Sequence, residues 1–175
     1  MENGFCASAR THSRPSGKPP GFTLIEMMVV TVLMAILLAL ALPSFNSLAE
    51  KYRVESMASA LMASVSHARS EAARRGMTVT IRQRAECSGA DWSCGWDTLA
   101  GSGDGLETLR RQDPDARVGV TKNAVGPMAF DLMGYSVGVA RFTFYPAGNA
   151  DSPNVAAVCV SLGGRVKLLK GSTTC

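Results

Sequence analysis

The 175-residue sequence is poor in the residues that usually mark an enzyme. It has two histidines, no C-x-x-C pair, and neither G-x-S-x-G nor H-E-x-x-H. These absences remove the common signatures of zinc sites, nucleophile elbows and metalloproteases. The Gly-rich stretch GSGDG at 101–105 contains no G-x-G-x-x-G and lies between weak strand signals, so it reads as a hairpin loop rather than a phosphate cradle. No serine or carboxylate is singled out by its spacing as a nucleophile or as one of an acid–base pair. The expectation is a protein that is not an enzyme, with no cofactor and no metal. No internal repeat or linker breaks the chain, and its net charge of +4 falls to a formal excess of two once residues 1–21, with three basic residues and one acid, are set aside, too little for a general polyanion binder. Acidic residues are missing altogether between Ser152 and Cys175.

What the sequence does have is one long apolar run, GFTLIEMMVVTVLMAILLALALPSF, at 21–45. From Phe22 to Leu42 only Thr23, Glu26 and Thr31 are not apolar. At 1.5 Å per residue such a helix spans about 30 Å, one hydrocarbon thickness. The run outlasts the roughly 7–15 apolar residues of a signal peptide, and no A-x-A-like site follows it. It is apolar all round, which a short chain rarely buries in a core. Glu26 is the misfit for a plain anchor, because a carboxylate inside lipid costs at least about 2.5 kcal/mol. Upstream, Arg10, Arg14 and Lys18 face a single acid, Glu2. Pro19 and Pro20 resist helix and leave an extended, protease-accessible stretch ending at Gly21. A cut between Gly21 and Phe22 creates an α-amino group four residues from Glu26, on one helical face. Amine and carboxylate then neutralise each other, within one chain or between neighbours, and Glu26 reads as an assembly device.

GFTLIEMMVV resembles the class III signal of type IV prepilins. The resemblance implies removal of the leader 1–21 by a prepilin peptidase after Gly21 and N-methylation of the new N-terminal Phe22. It places the family's assembly glutamate at Glu26 and its frequent helix-bending proline at Pro43. The basic residues before the run keep the N-terminus cytoplasmic by the positive-inside rule. The expected location is therefore a single pass of the bacterial inner membrane over 22–43, with the remainder periplasmic. Cys6 leaves with the leader, and Cys87, Cys94, Cys159 and Cys175 remain in an oxidising compartment. Four cysteines allow three pairings. Cys87–Cys94, a tight loop around SGADWS, and Cys159–Cys175, pinning the C-terminus to a strand, are the favoured ones.

Residues 44–76 continue as an amphipathic helix, with Leu48, Tyr52, Met57, Leu61, Met62, Val65, Ala68 and Ala72 at three-to-four-residue spacing. Gly76 supplies a helix stop, preceded by Arg74 and Arg75 in the last turn. Residues 77–175 show short strand-like runs at 77–83, 106–112, 117–121, 141–146, 155–161 and 165–169. The fold class is α+β: one long N-terminal helix, its first half transmembrane, packed on an antiparallel β-sheet globular domain. Trp92 and Trp96 flank Cys94, and their first reading is packing over a disulfide.

HARSEAARRGMTVTI, CGWDTL, FYPAGNA and VCVSLGGRVKLLKGSTTC together resemble the GspH/FimT branch of minor pilins and pseudopilins. GGRVK beside a terminal cysteine looks more like the FimT type of the type IV pilus; the alternative is the H-type minor pseudopilin of type II secretion. The resemblance implies other major and minor pilins or pseudopilins and an inner-membrane assembly platform as partners. Arg165 and Lys167 alternate with Val166 and Leu168, so on a strand both cations face outward, and Lys170 follows at the strand's end. Such a pair is often a solvated sheet face. FimT-type pilins are associated with capture of double-stranded DNA in natural transformation through Gly-Arg-x-Arg, which Gly164-Arg165-Val166-Lys167 resembles with lysine in the last place. Lysine keeps the charge and loses the planar fork. Arg82 and Arg84 would extend the patch if the fold brought them close.

Overall fold

In the computed structural model, which describes residues 21–175, the long helix starts at a capping signal. Thr23 Oγ1 accepts the Glu26 backbone N–H at 3.2 Å, and Met27 N–H donates to Thr23 O at 3.2 Å as the first helical bond. Thr23-x-x-Glu26 is therefore a helix N-terminus with an acid in its first turn, where the helix dipole favours one. Helix α1 runs from Leu24 to Arg75. The leader expected upstream of Gly21, with Cys6, lies outside the described residues.

The described residues divide into two units, the first ending at Ala41 and the second running from Leu42 to Cys175. In the first, every residue from Gly21 to Leu40 is exposed, apolar side chains included. By length and composition neither Leu24–Leu40 nor Phe45–Arg75 alone crosses a membrane, whereas the two taken together suffice.

The second unit holds the core. Val54, Met57, Ala58, Leu61, Val65, Ala68 and Ala72 form the buried stripe of α1, at the spacing of one helical face. Leu48 and Tyr52, expected on that stripe, are exposed. Buried instead are Val54, Ala58 and Ser64, the last because its hydroxyl receives Trp96 Nε1–H at 3.0 Å. Gly76, at φ 63°, closes the helix: its N–H returns to Ala72 O at 2.9 Å. The last turn is held by ions as well as by the dipole. Glu71 bonds Arg74 and Arg75, each at 2.7 Å, and Arg75 reaches Glu107. Hydrogen bonds from Arg74 and then Arg75 hold the Glu71 carboxyl down at about 2.

Two antiparallel four-stranded sheets, rather than the single one expected, pack with α1. The first has the order β3-β2-β1-β5, from Glu107–Gln112, Trp96–Ala100, Val79–Gln83 and Met128–Phe130. The second has the order β4-β6-β7-β8, from Val118–Lys122, Ala140–Pro146, Ala156–Val160 and Val166–Lys170. Strand β6 alternates strictly, with Ala140, Phe142 and Phe144 buried and Arg141, Thr143 and Tyr145 between them partly exposed.

Trp92 and Trp96 are core residues, with Trp92 set edge-on to Phe142 at 4.9 Å between ring centroids. The loop they flank joins the sheets. Arg84 N–H donates to Gly95 O on the β1–β2 side, and Trp92 N–H donates to Val120 O of β4 at 2.8 Å. Within this loop Cys87 and Cys94 are bonded. Lys122, at the end of β4, is buried, with no acid paired to it among the described residues. Its ammonium donates to Gly126 O at 2.8 Å and lies 5.9 Å from the Trp92 ring centroid, and burial lowers its pKa.

Candidate functional site

The residues singled out in the sequence fall at two places. Gly21 and Phe22 precede α1 and are exposed, Phe22 by 77%. Glu26 is exposed in the first turn. Thr23, unnoticed in the sequence although T-x-x-E is a capping signature, supplies the side chain that starts the helix immediately after the expected cleavage point.

The second place is a groove of about 520 Å³ on the outer face of the second sheet. Its walls include Arg141 from β6, Cys159 from β7, Arg165 and Lys167 from β8 and the turn before it, and Thr174 and Cys175. Register brings them together: Arg141 lies opposite Cys159, and Cys159 opposite Lys167. Directly opposed residues share a face, so the two cations flank the cysteine. Cys159 is bonded to Cys175, which fastens the chain's last residues against the groove.

The turn that presents Arg165 is fixed from below by Arg69 of α1. Its Nε donates to Gly134 O at 3.1 Å and its Nη1 to Gly164 O at 2.8 Å. Gly164 has φ 69°, and a Cβ there would lie 2.6 Å from Arg69 Nε. The glycine of Gly-Arg-Val-Lys thus answers both a left-handed backbone and a close approach. Arg69 looks in the sequence like one more polar position on the helix, and nothing local announces its fork.

Lys170 does not belong to this face. Strand β8 continues through it, so alternation turns it with Val166 and Leu168 toward α1, where Nζ meets Glu55 Oε2 at 2.6 Å. Arg141 is the cation the sequence reading missed; its outward position was legible in RFTFYP, but its neighbours depend on register. Arg82 and Arg84 lie with the first sheet, not in this groove. Arg84 is paired with Glu86 and Asp113, and Arg82 lies opposite Asp97, a buried acid that accepts Arg111 Nε–H at 2.9 Å. Among the described residues no cluster of three or more His, Cys, Asp or Glu could hold a metal ion.

Two family models match the chain. Residues 57–165, more than half of it, match the type II transport protein GspH, and residues 20–42 match the prokaryotic N-terminal methylation motif. No curated protein matches. Among solved structures, the type IV minor pilin FimU of Pseudomonas aeruginosa PAO1 is similar at 23% identity and a TM-score of 0.58, over 70% of this chain and 92% of that one. The minor pseudopilin EpsH of the Vibrio cholerae type 2 secretion system is similar at 12% identity and a TM-score of 0.53, over 67% and 96% respectively. At these identities the likeness is one of fold: a long N-terminal helix packed on antiparallel sheets.

Proposed function

The chain belongs to the GspH family of type II transport proteins, a structural class of minor pilins and pseudopilins, and from that membership we propose that it is a FimT-like minor type IV pilin that contacts DNA. A prepilin peptidase removes residues 1–21, Phe22 becomes the methylated N-terminus, and Phe22–Leu42 holds the protein in the inner membrane with residues 44–175 in the periplasm. The methylation motif over 20–42 supports the processing step. The exposed apolar shell of Gly21–Leu40 supports a lipid or helix-bundle surrounding, because water would have to cover it otherwise. Glu26 neutralises the N-terminal amine of its own or a neighbouring subunit during assembly.

One observation carries the DNA reading. Arg165 and Lys167 stand on one face of a groove, and neither makes an ion pair among the described residues. Unpaired cations attract phosphate without reading sequence, so binding is weak and falls with salt.

The second reading is the H-type pseudopilin of type II secretion, which the description of the matched family favours. One experiment separates them: a deletion strain complemented with the wild type or with Arg165→Ala/Lys167→Ala. For the pilus reading, the double variant restores pili but leaves transformation at least about tenfold down, the loss expected when about 1.4 kcal/mol of binding is removed. Loss of secreted enzymes in the deletion strain, with transformation intact, sinks that reading and leaves the secretion pseudopilus.

A further inference from the structure

Resting on the reading of the groove as a DNA site, we propose that Arg141 is its third phosphate-binding cation and that Lys170 takes no part. Arg141 lies on β6, one strand beyond Cys159 from Lys167. Two strand spacings separate their backbones by about 10 Å, and Arg165 lies about 7 Å from Lys167 along β8. The three long side chains therefore rise from one corner of a sheet, two along a strand and one across it. A DNA strand carries one charge per about 3.4 Å of axis, so several phosphates fall within their common reach.

The main chain of Arg141 is already committed, which leaves its guanidinium as the free part. Its N–H donates to Asn123 Oδ1 at 2.9 Å, and its carbonyl accepts Asn123 N–H at 2.9 Å. Among the described residues, Arg141 makes no ion pair with any acid. No Asp or Glu side chain among the described residues lines the groove. Lys170, by contrast, is on the other face of β8 and already neutralised by Glu55.

The salt dependence of binding counts phosphate contacts. The chain from Phe22 onward, free of the three basic residues of 1–21, is titrated in a zwitterionic detergent with a short mixed-sequence DNA duplex at several salt concentrations. Three contacts predict a slope of log K against log salt of about −2.7, or a loss of about 40-fold between roughly 50 and 200 mM. Arg141→Ala lowers the slope to about −1.8, a loss of about 12-fold over the same range. Arg141→Lys keeps the wild-type slope, because a point charge suffices for a phosphate, and Lys170→Ala keeps it too. A wild-type slope in Arg141→Ala, or a reduced one in Lys170→Ala, overturns this assignment while the DNA reading stands. No binding by the wild type at any salt overturns the DNA reading and this inference together.

Discussion

Arg69 shows how much of the groove depends on a single side chain that never reaches it. Its fork ties two glycine carbonyls, and one of those glycines has no room for a Cβ. Gly164→Ala is expected to destabilise the second unit through the left-handed backbone and the clash, a cost of about 1–2 kcal/mol from the backbone alone. Arg69→Ala leaves two carbonyls without their donors and also opens the space the new methyl would need. The two substitutions are therefore coupled: the double variant loses less stability than the sum, by about 1 kcal/mol, in a denaturant double-mutant cycle. Strict additivity would mean that the fork and the glycine are independent.

Among the elements, α1 sets the sharpest test, because the position of Glu26 suits two physical jobs. It sits at the position of a capping box, and it is the lone acid of an apolar segment. Glutamine serves the first job but not the second. Glu26→Gln should leave the precursor inserted and cleaved while its incorporation into sheared fibres falls as far as that of Glu26→Ala, measured by immunoblot. Wild-type incorporation of the Gln variant would assign the residue to capping alone. The helix as a whole was legible, from its apolar run, its i, i+3 and i+4 stripe and the stop at Gly76. The exposure of Leu48 and Tyr52 was not, because periodicity does not say where along a helix the sheets begin to cover it. Strand β2 gave no alternation to read, since all five of its residues are buried, and β5 is only three residues long. Two sheets instead of one follow from pairings between distant strands, which local pattern does not encode. The same limit governs the groove. Arg165 and Lys167 were readable from period two, whereas Lys170 was misplaced because β8 runs one residue further than expected, and that turns its side chain to the opposite face.

At the scale of the molecule, the two units are unequal in what they need. Every residue of the core cluster and those packed against it lies between Val54 and Leu168, inside the second unit. A chain beginning at residue 42 should therefore unfold cooperatively in calorimetry, with a midpoint within a few degrees of the whole protein's in detergent. Among the described residues, the first unit contributes none to the core, and its exposed apolar surface makes the whole chain depend on detergent or lipid for solubility. A truncated chain without a cooperative transition would show that the first forty-one residues stabilise a fold they do not help to bury.

The Cys159–Cys175 bond has a mechanical side. With the proposed DNA contact made, a fibre subunit is loaded at one end through its helix and at the other through whatever grips the ligand. A pull on the turn before β8, where Arg165 stands, loads both strands of that hairpin and peels them from the sheet. Sulfur joins β7 to a residue beyond the far end of β8, so that strand is enclosed in a covalent ring. Both ends of β8 are therefore tied covalently to β7, and tension on the turn cannot draw the two strands apart by breaking hydrogen bonds alone.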